Sequence, residues 1–234
     1  MRPVPDALML FAAGLGTRMG ALTADRPKPL IEIGGECLID HALNLVDEAG
    51  IERVVINLHY LPDQIRAHLN GRANVIFSDE SDALLETGGG LRAALPHLGA
   101  GPVFTLNTDA VWTGANALRQ LRDAWRPAEM EGLLLLVPRE QAIGHSGAGD
   151  FSMDSYGRLS RGREYVYTGA QILTTGRLAS VQDKAFSLNR IWDEMQAPGR
   201  LYGLLHDGGW CDVGRPEAIP LAEGLQRRAR DVRA

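Results

Sequence analysis

Residues 10–30 read LFAAGLGTRMGALTADRPKPL, a span that ends one apolar run, opens a glycine turn and then supplies an arginine and a proline-flanked lysine. Ala7–Ala12 is apolar throughout and of strand length. Gly14 and Gly16 are expected to let the following turn take backbone angles closed to other residues. Amide N–H groups freed in such a turn can face anionic oxygens. Arg18 adds a planar fork of donors, and Lys28 adds a compact charge whose approach is stiffened by Pro27 and Pro29. A glycine pair alone reads as an ordinary strand–turn–helix. The two cations turn the reading towards a polyphosphate site.

Two familiar nucleotide loops are excluded by the same residues. A dinucleotide fingerprint needs a third glycine where Met19 stands, and an acidic residue ending the next strand, which here runs into Asn57, Leu58 and His59. A P-loop needs Gly-Lys-Ser/Thr after its glycines, whereas Gly16 is followed by Thr17 and Arg18.

Outward from this span, strand-like and helix-like segments alternate. The pattern predicts strands at 7–12, 53–57, 75–78, 103–107 and 133–138, with helices at 38–49, 62–69, 90–97 and 115–125 between them. Such alternation predicts an α/β fold with a doubly wound, mostly parallel sheet, whose ligands sit at the carboxyl ends of the strands. After Pro138 shorter pieces follow at 151–153, 158–160 and 166–174, read as a small antiparallel insert over about 139–175. Helices at 188–196 and 216–230 flank a strand at 201–205. One domain over residues 1–234 is expected. The basic tail RRARDVRA reads as a solvated helix end.

Composition narrows the class. Hydrophobic residues make up 45% and charged residues 23%, and no run approaches the roughly 18 apolar residues of a membrane span. The opening MRPVPDALMLF is unlike a signal peptide, so a cytoplasmic protein without membrane partners is expected. Two cysteines far apart suggest neither a disulfide framework nor a zinc site. A net charge of −5 argues against a nucleic-acid partner. The six histidines show no ligand spacing. Nothing in the sequence sets an oligomeric state.

The motif G-x-G-T-R-M followed by P-K-P-L resembles the nucleoside-triphosphate:sugar-1-phosphate nucleotidyltransferase family. Glu86-Thr87-Gly88-Gly89-Gly90 and Trp210-Cys211-Asp212-Val213-Gly214 resemble its N-acetylmuramate-1-phosphate uridylyltransferase branch, and the matching segments run in the family's order from about Leu8 to about Glu217. The resemblance implies that a nucleoside triphosphate, UTP in this branch, condenses with a sugar-1-phosphate and releases pyrophosphate, with Mg2+ as cofactor. Rival readings are another base and sugar on the same architecture, such as GDP-mannose, GDP-heptose, dTDP-glucose or CDP-linked synthesis, or a non-catalytic nucleotide-sugar sensor.

The resemblance also implies residue roles. Ala13, Gly14, Leu15, Gly16 and Thr17 would contact the nucleotide, Arg18 the departing pyrophosphate, and Lys28 the charge near the α-phosphate, while Thr87 and Gly88 would offer polar edges to the base. Asp109 follows an apolar strand and, taken alone, suits a turn or helix cap as well as a metal. Asp212 lies in a glycine-bracketed apolar stretch where a carboxylate is costly to bury without a cation or hydrogen bonds. The family places its metal carboxylates at these two positions. Asn107 reads either as a sugar contact or as a polar strand end. Gly147 or Gly149, with Thr168 and Gly169, would lie at the sugar. The E-K-P motif of many relatives is absent ahead of Tyr167, where Arg161-Gly162-Arg163-Glu164 stands; these arginines either meet a carboxylate such as a lactyl group or stay solvated. Trp210 is read as a wall of the site.

Overall fold

The computed structural model describes residues 4–231; Val232 to Ala234 of the basic tail, and the first three residues of the opening stretch, lie outside them. Strand β1 (Ala7–Phe11) is apolar because both its faces are covered: Leu8 and Leu10 enter one core, Ala7 and Met9 the other. Two short helical turns, Thr17–Thr23 and Lys28–Leu30, lead to a hairpin of β2 (Glu32–Ile33) and β3 (Glu36–Cys37). Helix α1 (Leu38–Glu48), β4 (Arg53–Leu58), α2 (Pro62–His68), β5 (Val75–Asp79), α3 (Glu86–Leu98) and β6 (Pro102–Asn107) continue the alternation. Then come β7 (Ala110–Trp112), α4 (Ala117–Ala124), β8 (Gly132–Pro138), β9 (Phe151–Met153), β10 (Leu159–Arg161) and β11 (Tyr165–Thr174). Helix α5 (Leu188–Gln196), β12 (Leu201–Leu205), β13 (Trp210–Asp212) and α6 (Ala218–Asp231) complete the described chain.

The main sheet runs β5–β4–β1–β6–β11–β8–β12. Its β5, β4, β1 and β6 are mutually parallel, β12 is parallel to β8, and β11 is antiparallel to both of its neighbours. This is a Rossmann-like, mostly parallel mixed sheet with helices on its two faces. Helices α1 and α4 bury Leu43, Val46, Leu118 and Leu121 against one face. On the other face α3 and α5 bury Leu91, Ala94, Ile191 and Met195. No described helix is long and apolar enough to cross a membrane.

The antiparallel strands predicted after Pro138 do not stand apart from the sheet. Strand β11 lies within it, between β6 and β8, because Val166, Ala170, Ile172 and Leu173 are buried and its long apolar run requires cover on both faces. Only β9–β10 extends from it as a hairpin, joined through the Tyr165–Phe151 pair.

The short pair β7–β13 and the hairpin β2–β3 were not predicted, since two- and three-residue strands carry too little pattern to read. Together with α6 they enclose a third core of Met19, Ile31, Ile33, Leu38, Val111, Cys211, Val213, Ala222 and Leu225. Full burial of each branched side chain there stabilises by about 1.5–3 kcal/mol. This core lies directly under the charged residues of the first glycine turn.

Candidate active site

A cavity of about 370 Å³ opens at the carboxyl ends of the parallel strands. Phe11 to Gly14 line it from the end of β1, Asn57 near the end of β4, Glu80 after β5, and Asn107 to Asp109 from the end of β6, with Lys28, Glu86, Thr87 and Ser187 among the others. Strand β1 has β4 on one side and β6 on the other, so the cavity sits at the topological switch point, where open α/β sheets bind ligands.

Four charged residues distant in sequence converge at its edge, Lys28 and Asp109 in its lining and Asp212 and Arg18 beside them. Lys28, itself buried, donates from Nζ to Asp109 Oδ2 at 2.8 Å. Strand β13 pairs antiparallel with β7 so that Asp212 faces Ala110, and the Val213 N–H donates to the Asp109 carbonyl at 2.8 Å, bringing the two carboxylates together. The Asp212 carboxyl is held above its ordinary pKa, first by burial and then by the negative charge of Asp109; Lys28, Arg18 and His145 oppose the shift. Arg18 lies beside it: a Cβ built on Gly214 would fall 3.1 Å from Asp212 Oδ1 and 3.3 Å from an Arg18 guanidinium nitrogen. The neighbours of all four residues, Met19, Ile31, Val111, Cys211 and Val213, belong to the third core, which explains how one small cluster fixes four charges.

Two adjacent carboxylates, offset by Lys28 and Arg18, form a hard oxygen donor set. That set fits a divalent cation of the Mg2+ type, which takes one or two carboxylates with phosphate oxygens and water.

The first glycine turn does not use its two glycines alike. Gly16 adopts φ 65°, and a Cβ there would meet Lys28 Cβ and Thr23 Cγ2 at 3.0 Å. Gly14 needs no special backbone angle, contrary to the expectation above; instead, nothing lies within 4 Å of where its Cβ would be, and it faces the cavity. Ala13 is buried, while Leu15, Thr17 and Arg18 are exposed. The Ala12 N–H donates to Asn57 Oδ1 at 2.8 Å, tying the turn to β4.

The second glycine segment departs further from expectation. Glu86–Gly90 is the first turn of α3 and not a loop ahead of it. Gly88 is turned away from the cavity, for its N–H donates to the Phe186 carbonyl at 2.8 Å and a Cβ would lie 2.3 Å from the Phe186 ring. Its amide is therefore unavailable to a base. Gly89 packs against Lys184 and Ala185, and Gly90 against the Glu80 carboxylate. Thr87 does line the cavity, with its Oγ1 accepting from the Leu188 N–H at the start of α5. Glu86 holds φ 59° at the cavity edge, an uncommon angle for a residue with a Cβ.

Sequence reasoning missed Asn57 and Glu80 as site residues. Glu80 is buried in the cavity wall, accepting from Asn57 Nδ2 at 2.8 Å and from the Leu85 N–H at 3.4 Å; burial raises its pKa against those two bonds. The available signal was a polar residue closing each of two neighbouring apolar strands at the carboxyl edge.

An annex of about 260 Å³ adjoins the main cavity, sharing Phe11, Thr87, Asn107 and Ser187 with it and adding Asp150, Tyr167, Leu188, Asn189 and Trp192. Asn107 lines both spaces, and Gly169, at φ 89°, lets β11 press against its side chain. Thr168 is not available to a ligand: its hydroxyl donates to the Leu135 carbonyl at 2.6 Å, its carbonyl accepts from Trp210 Nε1, and it is buried in the sheet. Trp210 is likewise buried and lines neither space. Gly147 belongs to a different cavity, with Arg139, Glu140, His145 and Ser146. Gly149 makes the close backbone approach, towards Arg163. Arg161 is committed to Asp193, with Nε at 2.9 Å and Nη2 at 2.7 Å, and packs over Phe151 and Trp192; Arg163 is exposed.

Comparison with known proteins gives the same direction. A family model described as the MobA-like NTP transferase domain matches residues 8–148. An N-acetylmuramate alpha-1-phosphate uridylyltransferase of Caulobacter vibrioides is 40% identical over 95% of this chain and 98% of its own. One of Neisseria meningitidis serogroup B is 33% identical over 93% of this chain and 96% of its own. The solved inositol-1-phosphate CTP transferase from T. maritima superposes with a TM-score of 0.76 at 17% identity, over 97% of this chain and 98% of that one, and shares its fold. With the family model spanning β1 to beyond β8 and full-length likeness to two curated enzymes, this chain belongs to the MobA-like NTP transferase family and is a sugar-1-phosphate nucleotidyltransferase.

Proposed function

We propose that this enzyme transfers the uridylyl group of UTP to N-acetylmuramate-1-phosphate and releases pyrophosphate, with Mg2+ as its cofactor. It acts as one nucleotidyltransferase domain over residues 1–234, in the cytoplasm, returning a cell-wall sugar to nucleotide-linked form during peptidoglycan recycling. The observation that carries the reaction is the Lys28–Asp109–Asp212 cluster at the switch point. The substrate pair is supported by likeness to two uridylyltransferases.

An oxygen of the sugar phosphate attacks the α-phosphorus, a new Pα–O bond forms, and the bond from Pα to the bridging oxygen of the β-phosphate breaks. Such transfers need positioning and electrostatic relief more than a protein nucleophile. The backbone of residues 13–17 follows the nucleotide, with Gly14 leaving room at the cavity face. Lys28 offsets charge at the α-phosphate, and Arg18 binds the departing pyrophosphate. Asp109 and Asp212 would hold Mg2+, whose chemistry there is neutralisation of charge between the reacting phosphates.

Each Glu80 oxygen accepts one bond from the protein and keeps a lone pair, so this group can accept from the N3–H of uracil. Asn107, Asp150, Tyr167 and Asn189 around Trp192 suit the hydroxyl and acetamido groups of the sugar. The lactyl carboxylate reaches Arg161 by displacing Asp193, and an exposed pair of that kind is worth only about 1 kcal/mol or less.

Pyrophosphate release is measured with four nucleoside triphosphates against several sugar-1-phosphates, with and without a chelator. Turnover is expected with UTP and N-acetylmuramate-1-phosphate, and abolished by the chelator. In a competition at equal concentration, a preference for N-acetylglucosamine-1-phosphate over its lactyl ether would defeat the muramate reading and leave the family assignment standing.

A further inference from the structure

We propose that Cys37, Asp40 and His68 form a second metal site, outside the substrate cavity, for a soft divalent ion of the zinc class. Cys37 immediately precedes α1, and Asp40 stands three residues on, so the two share one face of its first turn. His68 ends α2. A sulfur, a carboxylate oxygen and an imidazole nitrogen from these residues all lie within 4.8 Å of one another, and His68 Nε2 is already 2.8 Å from Asp40 Oδ2.

Bond lengths of about 2.3 Å to sulfur and about 2.0–2.2 Å to nitrogen or oxygen put tetrahedral neighbours roughly 3.3–3.7 Å apart. The three donor atoms therefore need to draw together by no more than about 1.5 Å. The donors also select the ion. A thiolate and an imidazole with a single carboxylate suit zinc, whereas Mg2+ requires oxygen ligands throughout.

His68 is exposed, which leaves a fourth position for water, and the nearby carboxylates of Glu32 and Glu36 add negative potential against the single opposing charge of Arg26. On binding, the Cys37 thiol gives its proton to solvent as the sulfur–metal bond forms. That thiol otherwise donates to the carbonyl of Leu30, which closes the turn opened by Lys28, and this bond is given up when the ion binds. The chain's only other thiol, Cys211, is buried with its pKa pushed up to about 12 and cannot imitate the site.

The experiment is a Co2+ titration of the full chain in excess Mg2+, followed by absorption. One equivalent is expected to develop a thiolate-to-cobalt charge-transfer band with tetrahedral d–d bands, and Zn2+ is expected to displace it. C37S should lose the charge-transfer band, H68A should weaken binding at least about tenfold, and C211S should titrate like the parent. If C37S fails to fold, H68A carries the test, since that side chain lies at the surface. Absence of the band in the parent, its survival in C37S, or parent-like affinity in H68A overturns the site.

Discussion

The glycines at 14–16 and those at 88–90 look alike in sequence and serve opposite purposes. Around Gly14 there is empty space facing a cavity, whereas the sites where side chains would grow from Gly88, Gly89 and Gly90 are already filled by Phe186, Lys184 and Glu80. The first segment leaves room for a ligand at Gly14 while Gly16 packs against Lys28 and Thr23, and the second is close packing throughout, of α3 on Phe186, Lys184 and Glu80. Glycine-rich composition therefore identifies close approach without saying whether the approaching group is substrate or protein.

The sharpest way to break this comparison lies in the charges beside the first segment. Lys28→Ala and Asp109→Ala are each expected to lower kcat/KM by about 10² or more, the scale of losing one preorganised electrostatic contact, with the far-UV circular dichroism unchanged. A folded variant with parental turnover would remove that residue from the mechanism.

At the second segment the loss should be in stability. Gly88→Ala forces a methyl group into the Phe186 ring and close to its carbonyl, and overpacking of this kind costs about 1–3 kcal/mol. A domain of this size loses about 2–4 °C in Tm per kcal/mol. An unchanged melting curve would show that α3 and residues 184–186 are not packed as described.

Asp212→Asn tests whether the phosphate end is built at the expense of stability. The folded-state pKa of Asp212 is raised, so its ionised form is disfavoured at neutral pH, and that penalty disappears as pH falls below the carboxylate's unfolded value. In metal-free protein the variant is expected to melt higher than the parent at pH 7 while losing activity. The advantage should shrink on acidification; one independent of pH would argue against burial and Asp109 repulsion as the cause.

The smallest expected change is in the stability of Gly14→Ala, within about 0.5 kcal/mol of the parent because the space is open and the backbone angle ordinary. Nucleotide affinity should nonetheless fall, as the methyl group occupies the cavity. A drop in Tm like that of Gly88→Ala, with affinity intact, would reverse the roles assigned to the two segments.

The order of the main strands and helices was legible because each is long enough to display its period, and the apolar run at 7–12 announces a strand covered on both faces. Lys28 was legible as a charge beside the glycine turn and Asp212 as a carboxylate in need of a partner, whereas Asp109 taken alone suited a turn or cap and was paired with Asp212 by the family resemblance. Other features were beyond its reach for physical reasons. Thr168 and Gly88 are exhausted by hydrogen bonds to Leu135 and Phe186, and Arg161 is engaged by Asp193; those partners are remote in sequence, and no local pattern encodes them.

What the sequence by itself determined is the alternation of elements, the glycine turn at the first strand's carboxyl end and the inventory of charges. Only the tertiary structure decided which of these meet. The two carboxylates become neighbours because β7 and β13, each three residues long, pair over a core shared with α6, and Glu80 becomes a cavity wall because β4 and β5 end side by side. Local propensity in such short segments is weak, and the burial of apolar residues drawn from several distant parts of the chain sets their geometry.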